Sequence, residues 1–223
     1  MTLVEAVQQW LIAGGHLAGD ADGRPGPLTR MAWLRAMTGG WWAVARAMFP
    51  DAPGENIERS LPLVLAALAG VGLQQERMVL MALATVRAES AGFVPLNEFV
   101  SRWNTLEAPF DGYEGRRNLG NTEPGDGARF RGRGYVQLTG RDNYYRIGQQ
   151  LGVDLTAAPE RANEWGLAAR ILALFLANNR ERIEAAIDAG DLAEARRVVN
   201  GGRHGLEAFQ RAFRVGSRMV DVD

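Results

Sequence analysis

Glu89 closes an apolar helical pattern running from Gln74 and is followed at once by Ser90-Ala91-Gly92, so its carboxyl group emerges where a helix yields to a loop. A carboxyl there can face a cleft, and apolar neighbours such as Phe93 would suit it to donating a proton to a glycosidic oxygen. The same residue also reads as an exposed glutamate at a helix end. Glu98 lies nine residues further on with Pro95 between them, so the two do not share one helix and must face each other through a loop. Two carboxyl groups flanking a glycosidic bond hydrolyse it with inversion when about 6.5 to 9.5 Å apart and with retention at about 5 to 5.5 Å. Sequence spacing does not measure that gap, and Glu98 can equally be a solvated charge or a partner of Arg102.

Composition narrows the chemistry by elimination. The 223 residues include no Cys, so disulfides, thiol nucleophiles and thiolate metal sites are excluded. All 25 basic residues are Arg, which removes Schiff-base lysines and the phosphate-loop lysine together. His16 and His204 are the two imidazoles, too few for a polyhistidine metal site, and none of Ser60, Ser90, Ser101 and Ser217 sits in a Gly-x-Ser-x-Gly turn. Carboxylates remain as the reactive groups, and neither metal nor organic cofactor is expected. A net charge of −1 provides no general basic field, so no nucleic-acid partner is expected. The most apolar stretch, Leu61 to Leu73, is too short to span a bilayer and reads as a buried helix, so no stable membrane insertion is expected. Met1-Thr2-Leu3-Val4-Glu5 lacks the basic start and apolar run of a secretory signal, which predicts synthesis in the cytoplasm.

The elements that must position these groups are mostly helical. Residues 1 to 50 read as short helices broken by Gly14-Gly15 and the Gly19 to Pro27 turns, with Thr29 to Met37 as a second helix. Phe49-Pro50-Asp51-Ala52-Pro53-Gly54-Glu55 interrupts the periodicity and predicts a boundary between a small helical module, 1–50, and a main domain, 56–223. Helices are predicted over Ile57 to Ala69, Gln74 to Glu89, Tyr144 to Leu151, Glu160 to Asn178, Arg182 to Ala189 and Leu192 to Val199. Between them, Phe93 to Arg133 is rich in Pro and Gly and predicts a long irregular segment of functional character. A short hairpin near residues 130 to 138 is the one β element expected.

The sharpest pattern is Ala128-Arg129-Phe130-Arg131-Gly132-Arg133-Gly134-Tyr135-Val136-Gln137-Leu138-Thr139-Gly140-Arg141-Asp142-Asn143-Tyr144. Together with Glu89-Ser90-Ala91-Gly92-Phe93 it resembles glycoside hydrolase family 19, the chitinases and phage-type endolysins. The resemblance runs from about Asn56 to Arg214 and takes in Asn118-Leu119-Gly120-Asn121, Gly125-Asp126-Gly127 and Val199-Asn200-Gly201-Gly202. It implies a mainly α, lysozyme-like helical fold. It also implies that Glu89 is the general acid, that Glu98 is the second carboxylate as in the endolysin branch, and that Thr139 helps hold the attacking water. Gln137, Asn143, Tyr144 and Asn200 match sugar-binding positions; amides, hydroxyls and aromatic faces suit sugars, though turn or cap chemistry is the other reading of Asn143 and Asn200. Arg131, Arg133 and Arg141 can be structural, pairing with Asp126 or Asp142.

Two features depart from the family pattern. Ala88 stands where many members carry His, and the plant chitinases place their base much further along than Glu98, which leaves Glu107 and Glu114 as alternatives. The segment from Val7 to Ala32 looks like a small peptidoglycan-binding module, or else is a helical extension packed on the core. The resemblance implies a muralytic glycosidase that inverts at the β-1,4 bond of peptidoglycan, or of chitin-like chains, working as a monomer on the wall after release from the cytoplasm. A lytic transglycosylase, a non-catalytic wall-binding protein and a secreted bacterial toxin are the competing readings.

Overall fold

The structure is a computed structural model that describes residues 2–99, 110–200 and 205–220. It carries eleven α-helices among those residues: α1 (Leu3–Ala13), α2 (Pro27–Thr38), α3 (Trp41–Met48), α4 (Gly54–Gly70), α5 (Glu76–Glu89), α6 (Asp126–Arg129), α7 (Arg141–Leu151), α8 (Trp165–Asn178), α9 (Arg180–Asp188), α10 (Leu192–Asn200) and α11 (Leu206–Val220). No described helix is long and apolar enough to cross a membrane. Local chemistry explains several starts. Thr2 accepts the Glu5 amide while the Glu5 carboxylate accepts the Thr2 amide, a reciprocal cap on α1, and α2 begins at Pro27, whose missing N–H is lost at no expense in a first turn.

α5 is the axis of the core. Every residue from Met78 to Val86 is buried, because α11, α3, α4 and α8 all pack against it. α11 lies beyond the last segment that periodicity picks out. It turns Phe209, Ala212, Phe213 and Gly216 inward, the i, i+3, i+4, i+7 stripe of a helix with one apolar face. At Gly216 the helices come so close that a Cβ would sit 2.3 Å from a Leu80 methyl and 2.9 Å from the Met48 sulfur.

The sequence-predicted boundary at Phe49 to Glu55 does not divide the packing. α3, on the amino-terminal side of it, places Val44, Ala45 and Met48, with Phe49, in the main core, whereas buried Leu11, Ala32 and Leu34 of α1 and α2 lie outside that cluster.

The predicted hairpin at 130–138 takes a different form. Within it only Arg133 and Leu138 bridge, and the strand partner comes from far off. β1 (Leu96–Asn97) pairs antiparallel with β2 (Arg133–Gly134), Leu96 opposite Gly134 and Asn97 opposite Arg133. Strands of two residues are too short to show an alternation, so only the turn residues around them were legible. The irregular stretch between them contains 3-10 turns at Asp111–Tyr113 and Arg117–Leu119, then α6.

Replacing Gly216 by Val overfills the contact of α11 with α5 and α3. A loss of about 1 to 3 kcal/mol is expected, with a melting temperature lower by about 2 to 4 °C per kcal/mol, read by urea and thermal unfolding.

Candidate functional site

Glu89 is the last residue of α5 and its side chain is 9% exposed. Its Oε1 lies 2.5 Å from Nη2 of Arg196, a fully buried side chain on α10. The chain then turns sharply. Ser90 accepts the Val94 amide, and Phe93 has φ 53°, a left-handed conformation uncommon for an aromatic residue. What holds it there is a buried knot: the Phe93 ring stacks on Phe49 at 4.3 Å, and its carbonyl accepts a 2.7 Å bond from the Ser60 hydroxyl. Asn56 donates to the carbonyl of Gly92 at 2.8 Å, so α4 grips the loop after Glu89 at two points. Ala88, where the family pattern often has His, faces Gly205. A Cβ on that glycine would come within 3.1 Å of the Ala88 methyl, so little room exists for a larger residue there.

Glu98 sits at the end of β1, and its amide donates to the Gly132 carbonyl at 2.8 Å. Its carboxylate accepts the Gly132 amide at 3.1 Å on Oε2 and the Tyr113 hydroxyl at 3.0 Å on Oε1. Burial, then the charge of Glu98 and its hydrogen bond, push the Tyr113 phenol up to about 12, so it stays a donor at ordinary pH. Gly132 is where the two arms touch: a Cβ there would lie 2.7 Å from Oε1 of Gln137 and 3.1 Å from Oε2 of Glu98. Burial and the neighbouring charge of Arg133 lower the Arg131 guanidinium, while Tyr144 and Glu98 act in the opposite direction.

Gln137, at φ 52°, donates both Nε2 protons to backbone carbonyls, Leu96 at 3.0 Å and Gly134 at 3.1 Å, and its Oε1 lies beside Gly132. Thr139 donates its hydroxyl to the Gln137 carbonyl at 2.9 Å and is partly exposed, so its oxygen retains lone pairs for another donor. Asn143, in the first turn of α7, donates to the Thr139 carbonyl and accepts from Arg146. The sugar contact that the resemblance implies for Tyr144 does not fit its placement. The side chain is fully buried, its hydroxyl donates to the Arg131 carbonyl and accepts from Arg133, and it supports the loop from beneath. Asn200 closes α10 one turn after Arg196, half-buried.

The alternative bases separate clearly. Glu107 lies outside the described residues, and Glu114 is occupied by the amides of Gly125 and Gly127. Arg141 forms a two-bond pair with Asp126, as one reading expected, but Arg133 bonds the carbonyls of Arg129 and Arg131 rather than a carboxylate. The side chains missed by sequence reasoning are Arg196 and Tyr113. Arg196 left a faint signal, since it shares the buried stripe of α10 with Val199 and an arginine in such a stripe needs an anion. Among the described residues no cluster of three His, Cys, Asp or Glu could hold a metal ion.

No family model matches the chain. It is 28% identical over 103 residues to a Haemophilus influenzae protein described as a glycosyl hydrolase family 19 domain-containing protein, a match covering 46% of this chain and 48% of the relative. The chain thus spans about half the length of that curated relative. Among solved structures it is similar to chitinase C from Streptomyces griseus, with a TM-score of 0.53 at 20% identity over 82% of this chain and 78% of the other. A mutant of chitinase C gives a TM-score of 0.58 at the same identity and coverage. The mainly helical fold is therefore of the chitinase type.

Asp126, which with Arg141 ties α6 to α7, supplies a test of this framework. Burial pushes its carboxyl up, but the Arg141 bond, the amides of Glu123 and Thr122 and the Arg141 charge outweigh it and hold it below the ordinary 3.8. A depressed folded-state value stabilises above the unfolded-state value, and that stability is lost as pH falls through the folded one. Asp126→Asn is expected to lose about 2 kcal/mol at pH 7 and to show a shallower fall in stability between pH 5 and 3 than the native chain, read by urea unfolding across pH.

Proposed function

We propose that the chain is a muralytic glycosidase that hydrolyses the β-1,4 bond of peptidoglycan by single displacement. The observation that carries this reading is the pair of carboxylates, each immobilised by its own donors: Glu89 by Arg196, and Glu98 by Tyr113 and the Gly132 amide. Fixed donors around reacting groups place them before the reaction begins. Glu89, in its protonated form, gives its proton to the leaving oxygen as the bond to the anomeric carbon breaks, and Arg196 holds the carboxylate that results. A water held by the free lone pairs of Thr139 attacks from the opposite face and passes its proton to Glu98. No step needs an oxidant, metal or cofactor.

The description of the Haemophilus influenzae relative and the chitinase-type fold support a glycan as substrate. The short Glu89 to Glu98 spacing favours the endolysin branch and hence peptidoglycan. Chitin is the second reading, favoured by the structural neighbours, which are chitinases by name.

Glu89→Gln is expected to lower kcat on defined peptidoglycan or chitin oligomers by about a hundredfold or more, and wild-type turnover by that variant would end the assignment. Proton NMR of the first product should show the α anomer; β product rejects single displacement, and anhydro-sugar ends indicate a transglycosylase. Tyr113→Phe removes one donor from Glu98, so kcat should fall about tenfold with a smaller change in KM, measured by steady-state kinetics on the same oligomers.

A further inference from the structure

We infer that the groove between α2, α4 and the first turn of α8 is a second sugar-binding site, which grips a β-1,4-linked N-acetylhexosamine strand outside the carboxylate pair. The inference rests on the glycan reading above and adds a place on the molecule to it.

The groove has a volume of about 600 Å³, within the range of about 300 to 1,000 Å³ usual for ligand sites. Trp33 of α2 forms one wall and is 41% exposed; Trp165, at the start of α8, forms another. The Arg59 guanidinium lies 4.3 Å from the Trp165 ring centre and fixes the plane of that indole. Trp10 of α1, 54% exposed, lies 6.0 Å from Trp33 and extends the aromatic surface beyond the groove. Large indoles left in water side by side leave apolar area uncovered and mark a binding surface.

The polar lining narrows the occupant. Arg30 and Arg59 stand against Glu55 and Glu58, two positive and two negative charges, and Arg30 is already paired with Glu58 at 2.7 Å. That balance leaves the groove without a net charge, so ring faces and hydrogen bonds rather than charge would select its ligand. Flat ring faces beside an amide and charged hydrogen-bonding groups match a pyranose, which has apolar faces and a rim of hydroxyls.

The groove is also coupled to both arms of the carboxylate site. Asn56 lines it and donates to Gly92, three residues after Glu89. Trp165 follows a 3-10 turn, Pro159–Asn163, whose Asn163 accepts the Gly134 amide and donates to Asn97, the neighbour of Glu98. A strand held by the two indoles is thereby registered against both carboxylates through short, rigid connections.

The test uses 15N-labelled full chain carrying Glu89→Gln, so that nothing is cut, titrated with chitohexaose and, in a second arm, with peptide-free peptidoglycan glycan strands. The chain has six Trp indole signals, and the Trp33 and Trp165 signals, assigned by substitution, should shift and saturate. A shift with either ligand supports the site, and the one that shifts them identifies the polymer. In the same background Trp33→Ala should weaken binding about five- to tenfold and Trp33→Tyr should restore most of it, with circular dichroism confirming the fold. Trp33 and Trp165 signals that stay still while glycan saturates elsewhere overturn the groove and leave the glycosidase reading intact. A native chain that cuts neither polymer, together with a Glu89→Gln chain that binds neither, overturns both.

Discussion

Ser60 carries the constraint on which the geometry of the site depends. Its hydroxyl is completely buried, donates to the Phe93 carbonyl and accepts from the Tyr135 hydroxyl, both at 2.7 Å. Burial pushes the Tyr135 phenol up to about 12, against smaller opposing effects of the Ser60 bond and the Arg59 charge, so the donor is present throughout the ordinary pH range. A buried hydroxyl must find partners, and these two lie on different arms of the site. One follows Glu89; the other lies in the loop that meets β1 just before Glu98. A single satisfied side chain on α4 therefore sets the distance between segments that share almost no regular structure. Phe93 packs edge-on against Tyr135 at 6.0 Å, which adds a steric limit to the polar one.

The two carboxylates are held by different means for a physical reason. Glu89 stands at the end of a helix that is buried from Met78 to Val86, and its own side chain is 9% exposed, so the partner of that side chain comes from within the protein, and Arg196 fills that role from a fully buried position. Removing one member of such a pair leaves a charge without compensation in a poorly solvated place, which makes the pair difficult to vary. Glu98 lies on a short strand near the surface, where backbone amides and a phenol supply the donors. Both arms carry a residue other than glycine at positive φ, Phe93 and Gln137, and both are retained by hydrogen bonds or ring packing immediately around them. Such conformations persist only where their surroundings over-determine them.

The helices were legible because burial of one face imposes a period that survives in a single sequence. α4, α5 and α8 emerge from it within a few residues, as does the irregular character of the stretch after Phe93. Three things were not legible, each for its own reason. The partner of β2 is fixed by contacts across more than thirty residues and by strands too short for alternation. The amino-terminal boundary was sought at prolines, yet α3, before Pro50, and α4, after Pro53, both pack on the same core. Arg196 and Tyr113 reach the carboxylates from elements remote in sequence, and no local pattern records a distant ion pair.

Gln137 shows how the same residue types can serve position as well as contact. An amide in a glycan cleft reads as a sugar-binding group, but both of its N–H donors here hold the carbonyls of Leu96 and Gly134, which locks β1 to the loop after β2. Only Oε1 remains, and it is turned to the space beside Gly132 that Glu98 also faces. Tyr144 makes the same point from below, with ring and hydroxyl wholly engaged by Phe130, Arg131 and Arg133. The Arg131-Gly132-Arg133-Gly134 run is therefore best understood as a way of bringing backbone close to a carboxylate without a sheet to do it. Gly132 lets the main chain come within bonding distance of Glu98, and the two arginines satisfy the carbonyls that such a bare loop would otherwise leave unpaired.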